Sequence, residues 1–186
     1  MPQYYEMEIA GLKRRLQLFP VSEDTSIAAL ILFGDVELTV AAARELLNRA
    51  PDFDLILTAE AKSIPLVFEM SRQSGRNEYV VARKGHKVYM EDALSVPVDS
   101  ITTEHPQRLY LGSREVRQLK GRRVLIVDDV ISTGESLRAL ERLAAQCGCS
   151  VVGRMAILAE GDSIDRPGIT ALGRLPLFRA DGTIRG

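Results

Sequence analysis

Residues 124–136 read VLIVDDVISTGES, and this stretch decides which fold the sequence predicts. It opens with an apolar, β-branched run, which is typical of a strand buried on both faces of a sheet. Two carboxylates, Asp128 and Asp129, follow the run directly. Because open parallel sheets bind ligands at the carboxyl ends of their strands, both are candidate site residues. An ionised Asp accepts up to about four hydrogen bonds, which suits the hydroxyl groups of a sugar.

A turn of small residues comes next, before a helical pattern that begins near Ser136. Such a turn offers free backbone N–H groups and the positive end of a helix dipole, which together suit a phosphate. The candidate phosphate-binding residues are Ser132, Thr133, Gly134, Glu135 and Ser136. An acceptor for sugar hydroxyls followed by a phosphate-binding turn describes a site for a ribose 5-phosphate.

Three other interpretations of the same stretch compete with this one. A Walker B strand also ends in Asp, but the sequence contains no G-x-x-x-x-G-K-[ST] string for its phosphate loop. A response-regulator receiver carries an acidic pair after a strand near its N-terminus, without a Thr-Gly turn behind it. The third interpretation is a solvated strand end that carries two exposed carboxylates and no function.

The composition is that of an ordinary globular chain. Its 186 residues predict a single domain, residues 1–186, with one core. The net charge of −1 excludes a protein that binds nucleic acid through its overall charge. No apolar run approaches the roughly 20 residues that span a bilayer, and the first residues lack the pattern of a signal peptide. We therefore expect a cytoplasmic protein without membrane or nucleic-acid partners.

Strand-like and helix-like segments alternate along the chain, which predicts a parallel sheet covered by helices on both faces. A hairpin is expected over 4–19, ahead of this alternation. The expected strands are 53–57, 79–82, 107–111, 124–129, 151–158 and 169–178, and the expected helices are 38–49, 63–72, a short one from Ser113, and 134–146. The segment 84–103 is polar, contains Pro97 and shows no sustained period, so we expect a long loop there.

The stretch 124–136 resembles the phosphoribosyl diphosphate (PRPP) signature of the type I phosphoribosyltransferases, in which an apolar strand, an acidic pair and a T-G loop follow in this order. The resemblance implies an α/β fold with a central parallel sheet of about five strands flanked by helices. It also implies a homodimer and a small hood formed by the chain ends, residues 1–35 and 160–186. Asp128 and Asp129 would hold the ribose of PRPP. Mg²⁺ would be carried by PRPP near these carboxylates rather than by a protein site of its own.

Residues 58–63 read TAEAKS and resemble the pyrophosphate loop of adenine phosphoribosyltransferases. The resemblance places Glu60, Ala61 and Lys62 on the pyrophosphate, with a cis peptide bond between Glu60 and Ala61. Ser63 stands where the family usually has glycine. The alternative is that Lys62 is an exposed lysine at the start of a helix.

A basic run, RKGHK, follows the expected strand 79–82. The family carries an R-K-x-x-K run at this place, and the resemblance puts Lys84 and Lys87 on the pyrophosphate, with Arg83 as support. Taken alone, such a cluster would more often be a solvated turn. The run lies at a strand end, as the two candidate segments above do, and this position favours the functional interpretation.

The segment 84–103 corresponds to the flexible catalytic lid of the family. A closed lid excludes water, which would otherwise hydrolyse an oxocarbenium-like sugar cation. Residues 100–105 read SITTEH and resemble the S-x-x-x-E-Y of adenine phosphoribosyltransferases, which makes Glu104 the candidate general acid/base. Relatives acting on 6-oxopurines often have an Asp in the phosphate loop, where this chain has Ser132. A solvated loop glutamate is the alternative.

The base-binding candidates lie outside these segments. Residues 33–35 read FGD and resemble the F-R-D of adenine enzymes, in which the Phe stacks on the purine; Gly34 replaces the Arg. Val130 would pack on the opposite face of the base, and Phe33 as an ordinary core residue is the alternative. Glu160 stands where xanthine-specific relatives have a lysine. Because a carboxylate accepts from an amine but cannot donate to a carbonyl, Glu160 favours adenine, or the amino group of guanine.

Together these features predict a purine phosphoribosyltransferase of purine salvage, most similar to the adenine enzymes. Such an enzyme converts PRPP and a purine base into a nucleoside monophosphate and pyrophosphate. A guanine or xanthine enzyme is the alternative within the class. From another class, the alternative is a non-catalytic regulator that senses PRPP through the same fold. Regulators of that kind usually carry a DNA-binding helix-turn-helix domain, for which we expect no spare length here.

Overall fold

A computed structural model describes residues 3–98 and 107–185. Its helices are α1 (Val36–Leu47), α2 (Ile64–Gln73), α3 (Ser113–Leu119) and α4 (Glu135–Cys147). Its strands are β1 (Tyr4–Ile9), β2 (Leu12–Pro20), β3 (Thr25–Ala29), β4 (Leu55–Ala59), β5 (Val80–Ala82), β6 (Leu94–Pro97), β7 (Arg108–Leu111), β8 (Arg123–Ile131), β9 (Ser150–Glu160), β10 (Ile169–Leu175) and β11 (Phe178–Arg179). A 3-10 helical turn, Gly161–Asp165, separates β9 from β10. No helix in these described ranges is both long enough and apolar enough to cross a membrane.

Five strands form the central sheet, in the order β10-β9-β8-β4-β5, and every neighbouring pair is parallel. The predicted fold class is therefore confirmed. The apolar run of β8 reflects its place in the middle of this sheet, with a core on each side. Val124 and Ile126 pack into the core that contains α4, whereas Leu125 and Val127 pack into the core that contains α1 and α2.

The acidic pair lies inside β8 rather than at its end, because the strand runs further than the sequence predicted. Val130 and Ile131 still pair with β9 after the two carboxylates. Consecutive residues of a strand face opposite sides of the sheet, so Asp128 and Asp129 have different surroundings. Asp129 is buried, with 4% of its surface exposed, whereas Asp128 is half-buried.

Residues from both ends of the chain form a second, antiparallel sheet in the order β1-β2-β3-β11. The expected hairpin of β1 and β2 is confirmed, with its turn at Ala10 and Gly11. The sequence analysis predicted no strand at β3, whose register with β11 pairs Ser26 with Phe178. The resemblance implies a hood from residues 1–35 and 160–186, and this sheet contains strands from both ranges, but β10 belongs to the central sheet instead.

The prediction of one long loop over 84–103 is wrong for part of the segment. Leu94–Pro97 forms β6, which pairs antiparallel with β7 and buries Val96. A strand of this length shows too few alternations to be recognised from the sequence, and Pro97 at its end is compatible with an edge strand. Residues 99–106, and with them Glu104, lie outside the described residues.

Candidate active site

Four parallel strands bring most of the predicted site residues to one edge of the central sheet. Glu60 follows β4 directly, and Arg83 follows β5. Asp128 and Asp129 lie near the end of β8, and Glu160 is the last residue of β9. Parallel strands end on the same side of a sheet, so motifs that are far apart in sequence meet there.

The acidic pair is joined directly to the segment that follows β4. The Ser63 hydroxyl, with Ser63 only 1% exposed, donates to Asp128 Oδ1 over 2.7 Å. The same oxygen accepts from the backbone N–H of Asp129 over 2.9 Å. Lys62 Nζ lies 2.9 Å from Asp129 Oδ2 in an ion pair. The predicted pyrophosphate loop and the predicted ribose-binding carboxylates therefore form one cluster.

The environment of Asp128 opposes its ionisation. Burial of the carboxyl group raises its pKa, and the negative charge of Asp129 raises it further. The hydrogen bond from Ser63 acts in the opposite direction, because it stabilises the ionised form. Two carboxylates held this close suit a ligand that supplies hydrogen-bond donors, such as a vicinal diol, or positive charge.

Glu60 connects the segments that follow β4 and β5. Its Oε2 accepts from the backbone N–H of Lys84 over 2.9 Å and lies 3.2 Å from Nε of Arg83. The Lys84 hydrogen bond, followed by the charge of Arg83, holds the pKa of Glu60 below its usual value. The Glu60–Ala61 peptide bond is cis, as the resemblance implied. Glu60 thus holds the basic segment in place, and the charge of Lys87 also lowers the pKa of Glu60.

The predicted phosphate turn has the geometry of an anion-binding helix start. Gly134 has a φ of 77°, the left-handed region that glycine adopts at little cost, and it precedes α4 directly. Gly134 has no side chain to cap α4, so within the described part of the chain the first backbone N–H groups of this helix have no side-chain cap. Ser132 and Thr133 are exposed, and Ser136 is half-buried.

Two arginines that the sequence analysis did not identify contact this turn. Nη1 of Arg138 donates to the carbonyl of Thr133 over 3.3 Å. The guanidinium of Arg166 lies against Gly134: a Cβ atom built on that glycine would be 2.1 Å from Nη1 of Arg166. Arg138 lies two residues after the quoted motif and could have been found there. Arg166 had no signal, because it lies far from the motif in sequence, directly after the 3-10 turn that follows β9.

Glu160 is a buried carboxylate within the same cluster, with 8% of its surface exposed. Burial raises the pKa of its carboxyl group, and the Ser132 hydroxyl and the Lys62 ammonium act in the opposite direction. The structure thus places Glu160 beside both the phosphate turn and the pyrophosphate loop. Val130, the other strand-end candidate, packs partly buried against the core.

Phe33 is the candidate that the structure brings least close to this cluster. Its ring is 56% exposed, and none of the described contacts joins it to Glu160 or the acidic pair. Asp35 has a structural role: it caps α1 by accepting from Leu38 N–H over 3.0 Å. Arg14 of β2 pairs with both Asp35 carboxylate oxygens, over 2.7 and 3.0 Å.

The donor set of this site suits Mg²⁺ that arrives with a substrate. Among the described residues, no three His, Cys, Asp or Glu side chains are grouped so as to hold a metal ion. Mg²⁺ takes one or two carboxylates and otherwise prefers phosphate oxygens and water. The half-buried Asp128 beside Asp129 is such a carboxylate pair, and burial together with the charge of Asp129 raises the pKa of Asp128.

Comparison with known proteins agrees with this geometry. A sequence model of the family described as "Phosphoribosyl transferase domain" matches residues 37–171. A hypoxanthine/guanine phosphoribosyltransferase from Methanococcus voltae is 33% identical over 145 residues, which cover 78% of this chain and 71% of that protein.

Two solved structures share the fold at lower identity. Adenine phosphoribosyltransferase from Thermoanaerobacter pseudethanolicus has a TM-score of 0.65 at 23% identity, covering 77% of this chain and 84% of that one. The enzyme from Saccharomyces cerevisiae, described as complexed with an imino-altritol bisphosphate and adenine, has a TM-score of 0.68 at 19% identity, covering 84% and 93%. The family match spans most of the chain and includes the acidic pair, the phosphate turn and Lys62, so the chain belongs to the type I phosphoribosyltransferases and is a pentosyltransferase.

Proposed function

We propose that this enzyme is a purine phosphoribosyltransferase that makes a nucleoside monophosphate and pyrophosphate from PRPP and a purine base. One observation carries the proposal: Lys62 and Ser63 contact Asp129 and Asp128 directly. The bond that breaks in PRPP joins the ribose to pyrophosphate. A pyrophosphate-binding segment beside a diol-binding pair would hold the groups on both sides of that bond.

The reaction replaces one bond to the anomeric carbon, C1′, by another. The C1′–O bond breaks, and pyrophosphate leaves with the electron pair. A purine nitrogen forms the new C1′–N bond and loses its proton. Lys62, Lys84 and Lys87 supply positive charge for the leaving group, and Arg83 is held beside them by Glu60. We assign the purine proton to Glu104, because Ser132 leaves the phosphate turn without an Asp.

The acidic pair holds the sugar while this exchange takes place. Asp128 and Asp129 accept hydrogen bonds from the ribose hydroxyls, which fixes the orientation of C1′ relative to the base. The backbone N–H groups of the turn at Gly134 receive the 5′-phosphate at the start of α4. When bound with PRPP, Mg²⁺ would neutralise charge on the pyrophosphate, and Asp128 and Asp129 are the residues nearest to offer it ligands.

Two observations bear on the base, and they favour different purines. Glu160 is a buried acceptor, which suits the exocyclic amine of adenine, and adenine phosphoribosyltransferases are among the solved structures with this fold. The relative from Methanococcus voltae is named for hypoxanthine and guanine, and guanine also carries an exocyclic amine. Hypoxanthine and xanthine carry none. We therefore propose adenine as the substrate, with guanine as the second candidate.

A panel of bases tests the proposal. The purified enzyme is incubated with PRPP, Mg²⁺ and one of adenine, guanine, hypoxanthine or xanthine, and released pyrophosphate is measured. We expect the highest kcat/KM with adenine, and a Glu160→Gln variant that loses more activity with adenine than with hypoxanthine. Preference for hypoxanthine or xanthine would contradict the assignment of Glu160. Binding of PRPP without pyrophosphate release from any base would instead support a PRPP-sensing regulator.

A further inference from the structure

The phosphate turn carries negative charge of its own. Glu135 is the first residue of α4, directly after Gly134. A 5′-phosphate bound there would bring up to two further negative charges into the same turn, and like charges at short range repel. The backbone N–H groups and the helix dipole offset part of this repulsion. Full compensation needs cationic side chains. Lys62, Lys84 and Lys87 are not part of this turn, because they belong to the segments that follow β4 and β5.

A short connection with a buried serine positions Arg166 beside the turn at Gly134. The Ser163 hydroxyl, 2% exposed, donates to the carbonyls of Ile131, 2.6 Å away, and Glu160, 2.8 Å away. Ser163 therefore ties the 3-10 turn after β9 to the last residue of β8. The backbone N–H of Arg166 donates in turn to the Ser163 carbonyl over 3.3 Å. These bonds set the direction from which the Arg166 side chain reaches Gly134.

Arg138 reaches the same place from α4. Its Nη1 lies 3.5 Å from the position of a Cβ atom on Gly134, and Nη1 of Arg166 lies 2.1 Å from that position. Arg138 is the fourth residue of α4, and a cation so near a helix N-terminus is disfavoured by the dipole unless an anion is close. Among the described residues, neither arginine forms an ion pair with a carboxylate, so the guanidinium groups remain available to a ligand.

We propose that Arg138 and Arg166 form an arginine pair that closes on the 5′-phosphate of the ribose from two sides. This inference deepens the proposed function and rests on it. Guanidinium groups bind phosphate oxygens through paired N–H donors, and both side chains are exposed and attached to fixed backbone. The turn would then bind phosphate through backbone N–H groups and these two side chains together, which offsets the charge of Glu135.

The test measures binding at the 5′-phosphate turn separately from binding at the pyrophosphate segments. Calorimetry gives the Kd of ribose 5-phosphate and, separately, of pyrophosphate with Mg²⁺, for the wild-type enzyme, Arg166→Gln, Arg138→Gln and the double variant. A charged hydrogen bond is worth about 1.5–3 kcal/mol, so we expect ribose 5-phosphate to bind roughly tenfold or more weakly to each single variant. The Kd of pyrophosphate should not change. Arg166→Lys should retain part of the affinity, because it keeps the charge but loses the paired donors.

Arg44→Gln is the matched control, since Arg44 is an exposed arginine whose ion pair is with Glu45 of α1. Its affinities should equal those of the wild-type enzyme. If Arg166→Gln binds ribose 5-phosphate as tightly as the wild-type enzyme does, the inference about Arg166 is overturned. Equal weakening of both ligands would show a general charge effect and would also overturn it. A wild-type enzyme that binds neither ribose 5-phosphate nor PRPP would instead refute the proposed function.

Discussion

Ser63 is the residue at which the proposed pyrophosphate segment and the proposed ribose-binding pair meet. It occupies a position where the family usually has glycine, and its hydroxyl donates to Asp128 over 2.7 Å. This bond counteracts the effect of burial on the pKa of Asp128. A hydroxyl at this position therefore helps to keep Asp128 ionised despite its burial.

Ser63→Ala should shift the pH dependence of PRPP binding. Without the hydroxyl, the pKa of Asp128 rises further, because the bond that stabilises its ionised form is lost. Since the ionised carboxylate is the better acceptor for ribose hydroxyls, affinity falls as the pH drops through this pKa. We expect the fall in affinity to begin at a higher pH in Ser63→Ala than in the wild-type enzyme. The Kd of PRPP measured by calorimetry across pH gives both profiles.

Ser71→Ala is the control for this prediction. Ser71 is also buried, in α2, and its hydroxyl makes no hydrogen bond within the described part of the chain. Its variant should keep the wild-type profile. A Ser63→Ala profile that coincides with the wild-type profile would show that Ser63 does not tune Asp128.

At the scale of single residues, the contiguous motifs were the predictable part of the site. The structure brings Asp128, Asp129 and Lys62 together, as their positions at strand ends suggested. Arg166 could not be predicted, because its contact with Gly134 depends on the path of the chain after β9. The structural role of Asp35 was also missed, since its partner Arg14 lies far away in sequence, in β2.

Among the elements, α4 has two ends that differ in what surrounds them. Gly134 precedes it and Gly148 follows it, and both have positive φ. A Cβ atom on Gly134 would collide with the guanidinium of Arg166 at 2.1 Å, whereas a Cβ atom on Gly148 would meet nothing within 4 Å. The two glycines therefore allow the backbone effect of a substitution to be separated from its effect on the site.

Gly134→Ala should raise the KM for PRPP, because the added methyl group displaces Arg166 and crowds the approach of phosphate to the backbone. Gly148→Ala should leave that KM unchanged. Both variants carry the cost of a positive φ, which is about 1 kcal/mol, and should lose similar thermal stability. Steady-state kinetics and thermal unfolding measure the two effects. Equal KM values for both variants would contradict a phosphate site at Gly134.

The segment between β6 and β7 contains Glu104, to which we assign the purine proton. A positioned acid/base group contributes about 10²- to 10⁴-fold to the rate. Glu104→Gln should therefore lower kcat with adenine within that range, while the Kd of PRPP stays near the wild-type value. Glu91→Gln, at an exposed glutamate that precedes β6, should have normal kcat. Near-normal turnover of Glu104→Gln would mean that water or another group takes the proton.

The helices and the strands of the central sheet were predictable, whereas three short strands outside that sheet were not. The five strands of the central sheet and the four helices were expected within a few residues. β3, β6 and β11 were not expected as separate strands. Their pairing with partners elsewhere in the chain, rather than their own pattern, stabilises them. The extension of β8 beyond Asp129 has the same cause, since β9 continues beside it.

Across the whole molecule, the chain-end sheet and the central sheet share one hydrophobic core. Ile9, Leu16 and Phe178 pack in the same buried cluster as Ile56 and Leu125 of the central sheet. The pair of Arg14 with Asp35 adds a polar connection between β2 and the start of α1. Loss of this connection should therefore lower the stability of the protein without affecting Asp128 and Asp129.

Asp35→Ala should lower the melting temperature. It removes the cap of α1, worth about 1 kcal/mol, and leaves the partly buried Arg14 without its main partner. Thermal unfolding of the variant should show a loss of several degrees. Glu37→Ala, which removes only the exposed partner of Arg14, should lose less. Equal losses would contradict the assignment of the cap to Asp35.

The loss of stability in Asp35→Ala should depend on pH in a defined direction. The hydrogen bond from Arg14, followed by the N–H of Leu38, lowers the pKa of Asp35 in the folded protein. The stabilisation is therefore present above the ordinary carboxyl pKa of about 3.9 and disappears as the pH falls through the lowered value. The difference in stability between Asp35→Ala and the wild-type protein should shrink as the solution is acidified.

The binding of PRPP to a protein without the acidic pair tests the central claim most directly. Asp128→Asn combined with Asp129→Asn keeps the size of both side chains, and the amide oxygen introduced by Asp128→Asn can still accept from Ser63. With two charged acceptors lost, we predict that PRPP in the presence of Mg²⁺ binds at least about 100-fold more weakly by calorimetry. The variant should keep its circular dichroism spectrum. Unchanged affinity for PRPP in a folded variant would contradict the account.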